Sequence, residues 1–135
     1  MPKNMGKKKI LIIDDEVNFT KMVKLNLEFT GKYEVRIENK GTQALVAARA
    51  FKPDMIFLDI IMPDMDGSET ASQIRNDKST KNIPIVFLSA ILRKEEENHS
   101  GIINSYPFIA KPVNVKELIE CIEKNTRKSK RAVVE

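Results

Sequence analysis

Carboxylates, a hydroxyl and an ammonium recur at the same kind of place in this 135-residue sequence. Asp14, Asp15 and Glu16 follow the run Ile10-Leu11-Ile12-Ile13, and Asp59 follows Met55-Ile56-Phe57-Leu58. Ser89 follows Ile85-Val86-Phe87-Leu88, and Lys111 follows Tyr106-Pro107-Phe108-Ile109-Ala110. Short, largely apolar runs rich in β-branched residues read as strands buried on both faces. Each polar residue therefore stands where a buried strand emerges at its carboxyl end. If the strands are parallel, these ends share one rim, and open α/β sheets bind ligands at that rim where the strand order reverses. Two carboxylates about 4 Å apart repel by roughly 4 kcal/mol at an effective dielectric near 20. Lys111 offsets part of this, and a hard divalent cation offsets more. Mg²⁺ suits a few carboxylates completed by water and phosphate oxygens, with Mn²⁺ as the alternative. The chemistry suggested is a carboxylate nucleophile that accepts a phosphoryl group beside a metal ion. Taken singly, Asp59 reads equally well as a loop aspartate capping the next helix.

The segments between these ends must position them. Phe19, Met22, Val23 and Leu27 fall on one face at helical spacing, and Gly31 stops that helix. Tyr33, Val35 and Ile37 alternate with polar residues as in a half-covered strand. Gly41-Thr42 opens a short helix with Ala44, Leu45 and Ala48 inward, closed by Pro53. Pro63 and Gly67 mark a loop after Asp59, and a helix with Ala71 and Ile74 inward is expected from Gly67 to Asp77. Residues Ile91 to Gly101 carry helix-favouring charges but few apolar anchors, so a short or mobile helix is expected there. Pro107 lacks a backbone donor, which points to an edge strand. Asn114 with Glu117 three residues on resembles a capping box, and Val115, Leu118, Ile119 and Ile122 line a last helix to about Lys124.

Strand and helix alternate five times, which predicts an α/β fold: a doubly wound (βα)5 unit with a five-stranded parallel sheet and helices on both faces. The expected organisation is a disordered basic N-terminus over residues 1–7, one domain over 8–127 and a frayed basic tail over 128–135. No apolar run approaches a bilayer span, and the basic N-terminus has no signal-peptide core. One cysteine, Cys121, excludes an internal disulfide and suits the cytoplasm; it reads as packing beside an apolar stripe. The net charge of +4 comes largely from the chain ends. No aromatics interleave with those charges, so neither direct DNA binding nor membrane binding is expected.

The acidic pair Asp14-Asp15, Asp59 within Leu58-Asp59-Ile60-Ile61-Met62-Pro63-Asp64-Met65-Asp66-Gly67, Ser89-Ala90 and Lys111-Pro112 stand in an order and at intervals that resemble a known family. This is the receiver domain of two-component response regulators, in its short chemotaxis-regulator-like form, and the resemblance runs from about Lys8 to Arg127. It implies a flavodoxin-like strand order 2-1-3-4-5. It implies that Asp59 is phosphorylated and that Asp14, Asp15, Asp59 and the backbone carbonyl of Ile61 serve Mg²⁺, Asp14 largely through water. It implies that Ser89 and Lys111 bind phosphoryl oxygens and that Ser89 and Phe108 switch a partner-binding surface. The implied donor is a sensor histidine kinase or phosphotransfer protein, with a downstream effector and a monomeric or weakly dimeric state. Bulky Ile61 and Ile91, flanking the phosphoryl site, imply a long-lived acyl phosphate.

The sequence departs from the family at Asn104-Ser105, where Gly-Ala is usual, and along Ile91 to Ser105. His99, the single histidine, reads as a surface residue rather than a relay site. Asp64-Met65-Asp66-Gly67 lacks the later ligands of a calcium loop. Two rival functions remain. A phosphatase acting on foreign substrates would need a cap insertion and a second aspartate motif, and neither is present. The other is a binding module independent of phosphorylation, for which the full acceptor set would be superfluous. The expected protein is a signalling module and not an enzyme beyond its own phosphorylation and dephosphorylation.

Overall fold

The computed structural model describes residues 6–90, 100–103 and 106–134. The elements are β1 (Lys8–Ile13), α1 (Val17–Phe29), β2 (Tyr33–Glu38), a 3₁₀ turn (Gly41–Gln43), α2 (Ala44–Phe51), β3 (Met55–Asp59), α3 (Gly67–Arg75), β4 (Ile85–Ser89), β5 (Ser100–Ile103), β6 (Tyr106–Ala110) and α4 (Val115–Val134). Strands β2-β1-β3-β4-β6 form five parallel neighbours in that order, the expected 2-1-3-4-5 arrangement. Each parallel step needs a crossover, and α1, α2 and α3 supply three of them.

Every residue of β3 and β4 is buried, as are Ile10 to Ile13 of β1. Side chains alternate across the sheet. Ile10, Ile12, Phe57 and Leu88 pack under Val23 and Leu27 of α1 and Leu118 and Ile122 of α4. Leu11, Ile13, Leu58 and Phe87 pack under Ala44, Ala47 and Ala48 of α2 and Ala71 and Ile74 of α3. Two covered faces explain why these strands show no polar alternation in the sequence.

Five local expectations change. On α1, Met22 is 40% exposed, and Leu25 and Phe29 are more exposed still. Thr20 takes the inner position instead, its hydroxyl donating to the Val17 carbonyl at 2.9 Å. A sixth strand, β5, pairs antiparallel with β6, so β6 is not the sheet edge that Pro107 suggested. Pro107 precedes the β4 register, which begins at Phe87 opposite Phe108, so its missing donor is not needed on that side. Ser100 and Gly101 belong to this strand rather than a helix; the helix expected before them, with Ile91 and His99, lies outside the described residues, as do Asn104 and Ser105. Helix α3 ends at Arg75, short of Asp77. Helix α4 continues past Lys124 to Val134, a stretch with no glycine or proline to stop it.

The start of α4 is the predicted capping box: Glu117 N–H donates to Asn114 Oδ1 at 2.8 Å, and Asn114 N–H donates to Glu117 Oε1 at 3.4 Å. Among the described residues, no helix is long and apolar enough to cross a membrane.

Candidate functional site

The ends of β1, β3, β4 and β6 meet at one rim because the strands are parallel and in register there. Asp14 N–H donates to the Glu38 carbonyl at 3.0 Å, and Ile60 N–H donates to the Leu88 carbonyl at 3.1 Å. Lys111 N–H donates to the Ser89 carbonyl at 2.7 Å, joining the last two strand ends. Asn39, just past β2, donates from Nδ2 to the Asp14 carbonyl at 2.7 Å and to Thr20 Oγ1 at 3.2 Å. This holds the turn from β1 into α1.

An open cavity of about 280 Å³ lies on this rim among Asp15, Glu16, Asp59, Ile61, Ser89 and Lys111. It is smaller than most sites for drug-sized ligands and has room for a phosphoryl group with an ion. Ligand oxygens of Asp14, Asp15 and Asp59 all lie within 4.8 Å of one another. Asp14 is fully buried and Asp59 only 6% exposed. Asp14 Oδ1 accepts from the Glu16 N–H at 2.9 Å, and Asp59 Oδ1 accepts from the Ile61 N–H at 3.4 Å. Lys111 Nζ pairs with Asp14 Oδ2 and with Glu16 Oε1, each at 2.7 Å, and stands 3.9 Å from Asp59 Oδ2. Its ammonium also lies 4.8 Å from the Phe19 ring centroid.

Burial, then the charge of Asp14, pushes the Asp59 carboxyl up to about 7, while Lys111 pulls it back. A hydrogen bond with Asp15 raises it further. Burial also raises Asp14, more than its pair with Lys111 lowers it. Burial alone would lower Lys111, but its pairs with Asp14 and Glu16 outweigh that and raise it. Three crowded carboxylates with one ammonium between them are a donor set short of positive charge, which fits a hard divalent cation.

The loop after β3 is shaped by two contacts. Gly67 N–H donates to the Ile60 carbonyl at 2.7 Å, folding the chain back on itself. Asp64 accepts from the Gly41 N–H at 3.1 Å, the Thr42 N–H at 3.0 Å and the Thr42 hydroxyl at 3.1 Å. Asp64 and Asp66 are thus committed to capping, Asp66 accepting from the Ser68 N–H at the start of α3.

The structure therefore brings Asp14, Asp15, Asp59, Ser89, Lys111 and Ile61 to one place. Phe108 is elsewhere: it is 8% exposed and packs in the core on the α2 and α3 side of the sheet. Glu16, Phe19 and Asn39 contribute to the site without having been singled out for it. The available signal was a third acid directly after Asp14-Asp15; nothing in the sequence marks Asn39.

Lys111→Ala is expected to lower the stability of the metal-free protein at pH 7.5 by about 2 kcal/mol, because it leaves Asp14 buried without its cation. The loss is expected to shrink at pH 5, where the raised carboxyls take up protons. Urea denaturation at both pH values checks this, and an unchanged midpoint at pH 7.5 contradicts it.

Comparison with known proteins agrees with this geometry. The profile of the response regulator receiver domain matches residues 10–123. The chain is 34% identical to the alkaline phosphatase synthesis transcriptional regulatory protein PhoP of Bacillus subtilis, over 90% of this chain and 50% of that protein. It thus spans about half the length of that relative. It is 30% identical to the polar-differentiation response regulator DivK of Brucella anthropi, over 88% of this chain and 95% of that one. Among solved structures, the receiver domain of a Pseudomonas aeruginosa sensor histidine kinase, with magnesium coordinated in its active-site cleft, superposes with a TM-score of 0.73. That match has 26% identity and covers 89% of this chain and 98% of that one. A five-stranded parallel core in the order 2-1-3-4-5, an acidic pocket at its carboxyl rim and a profile match across most of its length establish that the chain belongs to the response regulator receiver domain family.

Proposed function

We propose that this chain is a phosphoacceptor signalling module that takes a phosphoryl group on Asp59 from a histidine kinase or phosphotransfer protein. The observation that carries this is the Asp59 carboxyl lining the cavity, 3.9 Å from Lys111 and crowded by Asp14 and Asp15. An Asp59 oxygen forms the new O–P bond as the P–N bond of a phosphohistidine breaks, and the released imidazole takes up a proton. With an acyl phosphate as donor, a P–O bond breaks instead and a carboxylate leaves. The outcome in either case is an aspartyl phosphate.

Asp59 must be ionised to attack, and Lys111 favours that form. Asp15, Asp59 and the Ile61 carbonyl would hold Mg²⁺, or Mn²⁺, with Asp14 acting behind them; the solved relative with magnesium in its cleft supports this assignment. Such an ion supplies charge neutralisation for the carboxylates and the transferred phosphoryl oxygens. Ser89 and Lys111 bind the remaining phosphoryl oxygens. Ser89 pairs with Ala110 on β6, two residues past Phe108. A small movement of Ser89 toward the phosphoryl group therefore reaches Phe108 through adjacent strands and biases a partner-binding surface. Signalling of this kind takes place in the cytoplasm, with the effector recognising the altered surface.

Treatment with a small acyl phosphate and Mg²⁺, followed by mass spectrometry, tests the reading. One phosphoryl group confined to Asp59 is expected. Equal labelling of Asp59→Asn would refute it.

Ile61 adds a prediction about lifetime. The residue is 59% exposed and lines the cavity, where its side chain can shield phosphorus but cannot orient an attacking water. Ile61→Asn is expected to speed loss of the phosphoryl group on the order of tenfold, by giving that water a hydrogen-bond partner. Decay of the phosphorylated protein in Mg²⁺ alone measures it; equal rates would show that Ile61 does not shield the site.

A further inference from the structure

Reaching a phosphoryl group on Asp59 would change the contacts that hold Lys111 in place. An ammonium has three donors. In this structure two carboxylates hold it at 2.7 Å, Asp14 from one side and Glu16 from the other, and the Phe19 ring lies 4.8 Å away. Asp59 is the more distant neighbour at 3.9 Å. To serve a phosphoryl oxygen on Asp59, Lys111 has to shift toward Asp59 and turn its third donor that way, which strains its pairs with Asp14 and Glu16.

The two carboxylates are not equivalent. Asp14 is fully buried and has no water to replace a lost partner. Glu16 has a side chain 59% exposed, and solvent rehydrates it on release. Glu16 is therefore the partner that gives way. It also occupies the position before the first turn of α1, where short side chains normally cap the helix, yet its carboxylate makes no capping bond. The side chain reaches back across the cavity to Lys111 instead.

We propose that Glu16 is a positioning residue that holds Lys111 away from Asp59 in the resting protein and so sets how readily the phosphoryl group is accepted and kept. This rests on the reading of Asp59 as phosphoacceptor. Glu16 touches neither phosphorus nor the leaving group; its influence passes through Lys111. Phosphoryl binding then exchanges the Lys111–Glu16 pair for a Lys111–phosphoryl pair, and the free energy of the first is subtracted from that of the second.

The test uses beryllofluoride with Mg²⁺ as the phosphoryl mimic, titrated into the whole chain by calorimetry. Glu16→Gln is expected to bind it about two- to fivefold more tightly, the range for one partly exposed ion pair. In a Lys111→Met background the same substitution is expected to change nothing, because the residue it acts through is gone. Unchanged affinity in Glu16→Gln overturns the proposal. An equal gain in both backgrounds also overturns it, since Glu16 would then act by its own charge on the anion. A second readout does not depend on the Lys111 variant: the Lys111 ammonium resonance is expected to shift in Glu16→Gln in the same direction as on beryllofluoride binding to the native chain. No shift counts against the proposal. Failure of the underlying reading looks different, because the native chain would then bind no beryllofluoride, or Asp59→Asn would bind it equally well.

Discussion

Asp59→Asn is expected to abolish phosphoryl acceptance completely and, in the absence of a metal ion, to make the protein more stable above pH 7. Loss of acceptance follows from replacing the only oxygen nucleophile in the proposed reaction with an amide. The stability gain follows from linkage. Folded Asp59 holds its proton up to about pH 7, whereas the unfolded side chain releases it near 3.8. Between those values the native state binds more protons, so stability falls as pH rises, and the loss is complete above about 7. A shift of this size corresponds to about 4 kcal/mol, which asparagine would recover because it has no charge to bury and none to set beside Asp14. Urea denaturation of the native chain and the variant from pH 4 to pH 8, without and with Mg²⁺, reads it out. The two chains are expected to converge near pH 4 and to diverge toward pH 8. Added Mg²⁺ is expected to stabilise the native chain far more than the variant. Parallel curves across the pH range would show that Asp59 is not under electrostatic stress.

Gly67→Ala is expected to cost about 3 kcal/mol and to weaken Mg²⁺ binding more than tenfold. A Cβ at Gly67 would stand 2.5 Å from the Asp59 carbonyl oxygen and 2.6 Å from both the Cα and the carbonyl oxygen of Ile60. All three are backbone atoms at the end of a buried strand, so no side chain can swing aside. The loop carrying Ile61 would have to shift, and the Gly67 N–H bond to the Ile60 carbonyl would be lost with it. Gly41→Ala is the control. Its Cβ would meet the Met62 Cε at 3.0 Å and the Thr70 Oγ1 at 3.3 Å, side-chain ends that can yield, and the Met65 Cβ at 3.1 Å, where the loop need give by only a few tenths of an ångström. A cost of about 1 kcal/mol is expected there. Chemical denaturation and metal titration of both variants check the contrast. Equal costs would mean that the approach of α3 to the strand end is not what demands a glycine at 67.

The central strands were legible because burial on both faces removes every polar residue until the strand emerges. The first polar residue after Ile13, Leu58 or Leu88 therefore marks a strand end. The same feature exposed the site, since the reactive residues are those first polar ones or their direct neighbours. Patterning was less informative where apolar residues outnumber the inner face. On α1, Met22 and Val23 are adjacent but only Val23 is fully buried, and the hydroxyl of Thr20 is buried because the preceding turn satisfies it. β5 carried no signal, since a short run owes its pairing to an edge that only the assembled sheet offers. The role of Glu16 was hidden for a related reason: its partner is 95 residues away, and their meeting depends on the register of the whole rim.

The loop between β3 and α3 is tied down three times: by Gly67 to Ile60, by Asp64 to Gly41 and Thr42, and by Met62, which is only 6% exposed. Fixing the backbone of one residue costs about 1–2 kcal/mol of conformational entropy. Here that entropy is lost when the chain folds, before any ligand arrives. A cation or phosphoryl group at the rim therefore meets ligand atoms already in place and does not have to order the loop. The same arrangement makes Thr42 and Asp64, which contact neither Asp59 nor Lys111 directly, contributors to affinity. Loosening them would leave every ligand atom present and weaken binding through entropy alone.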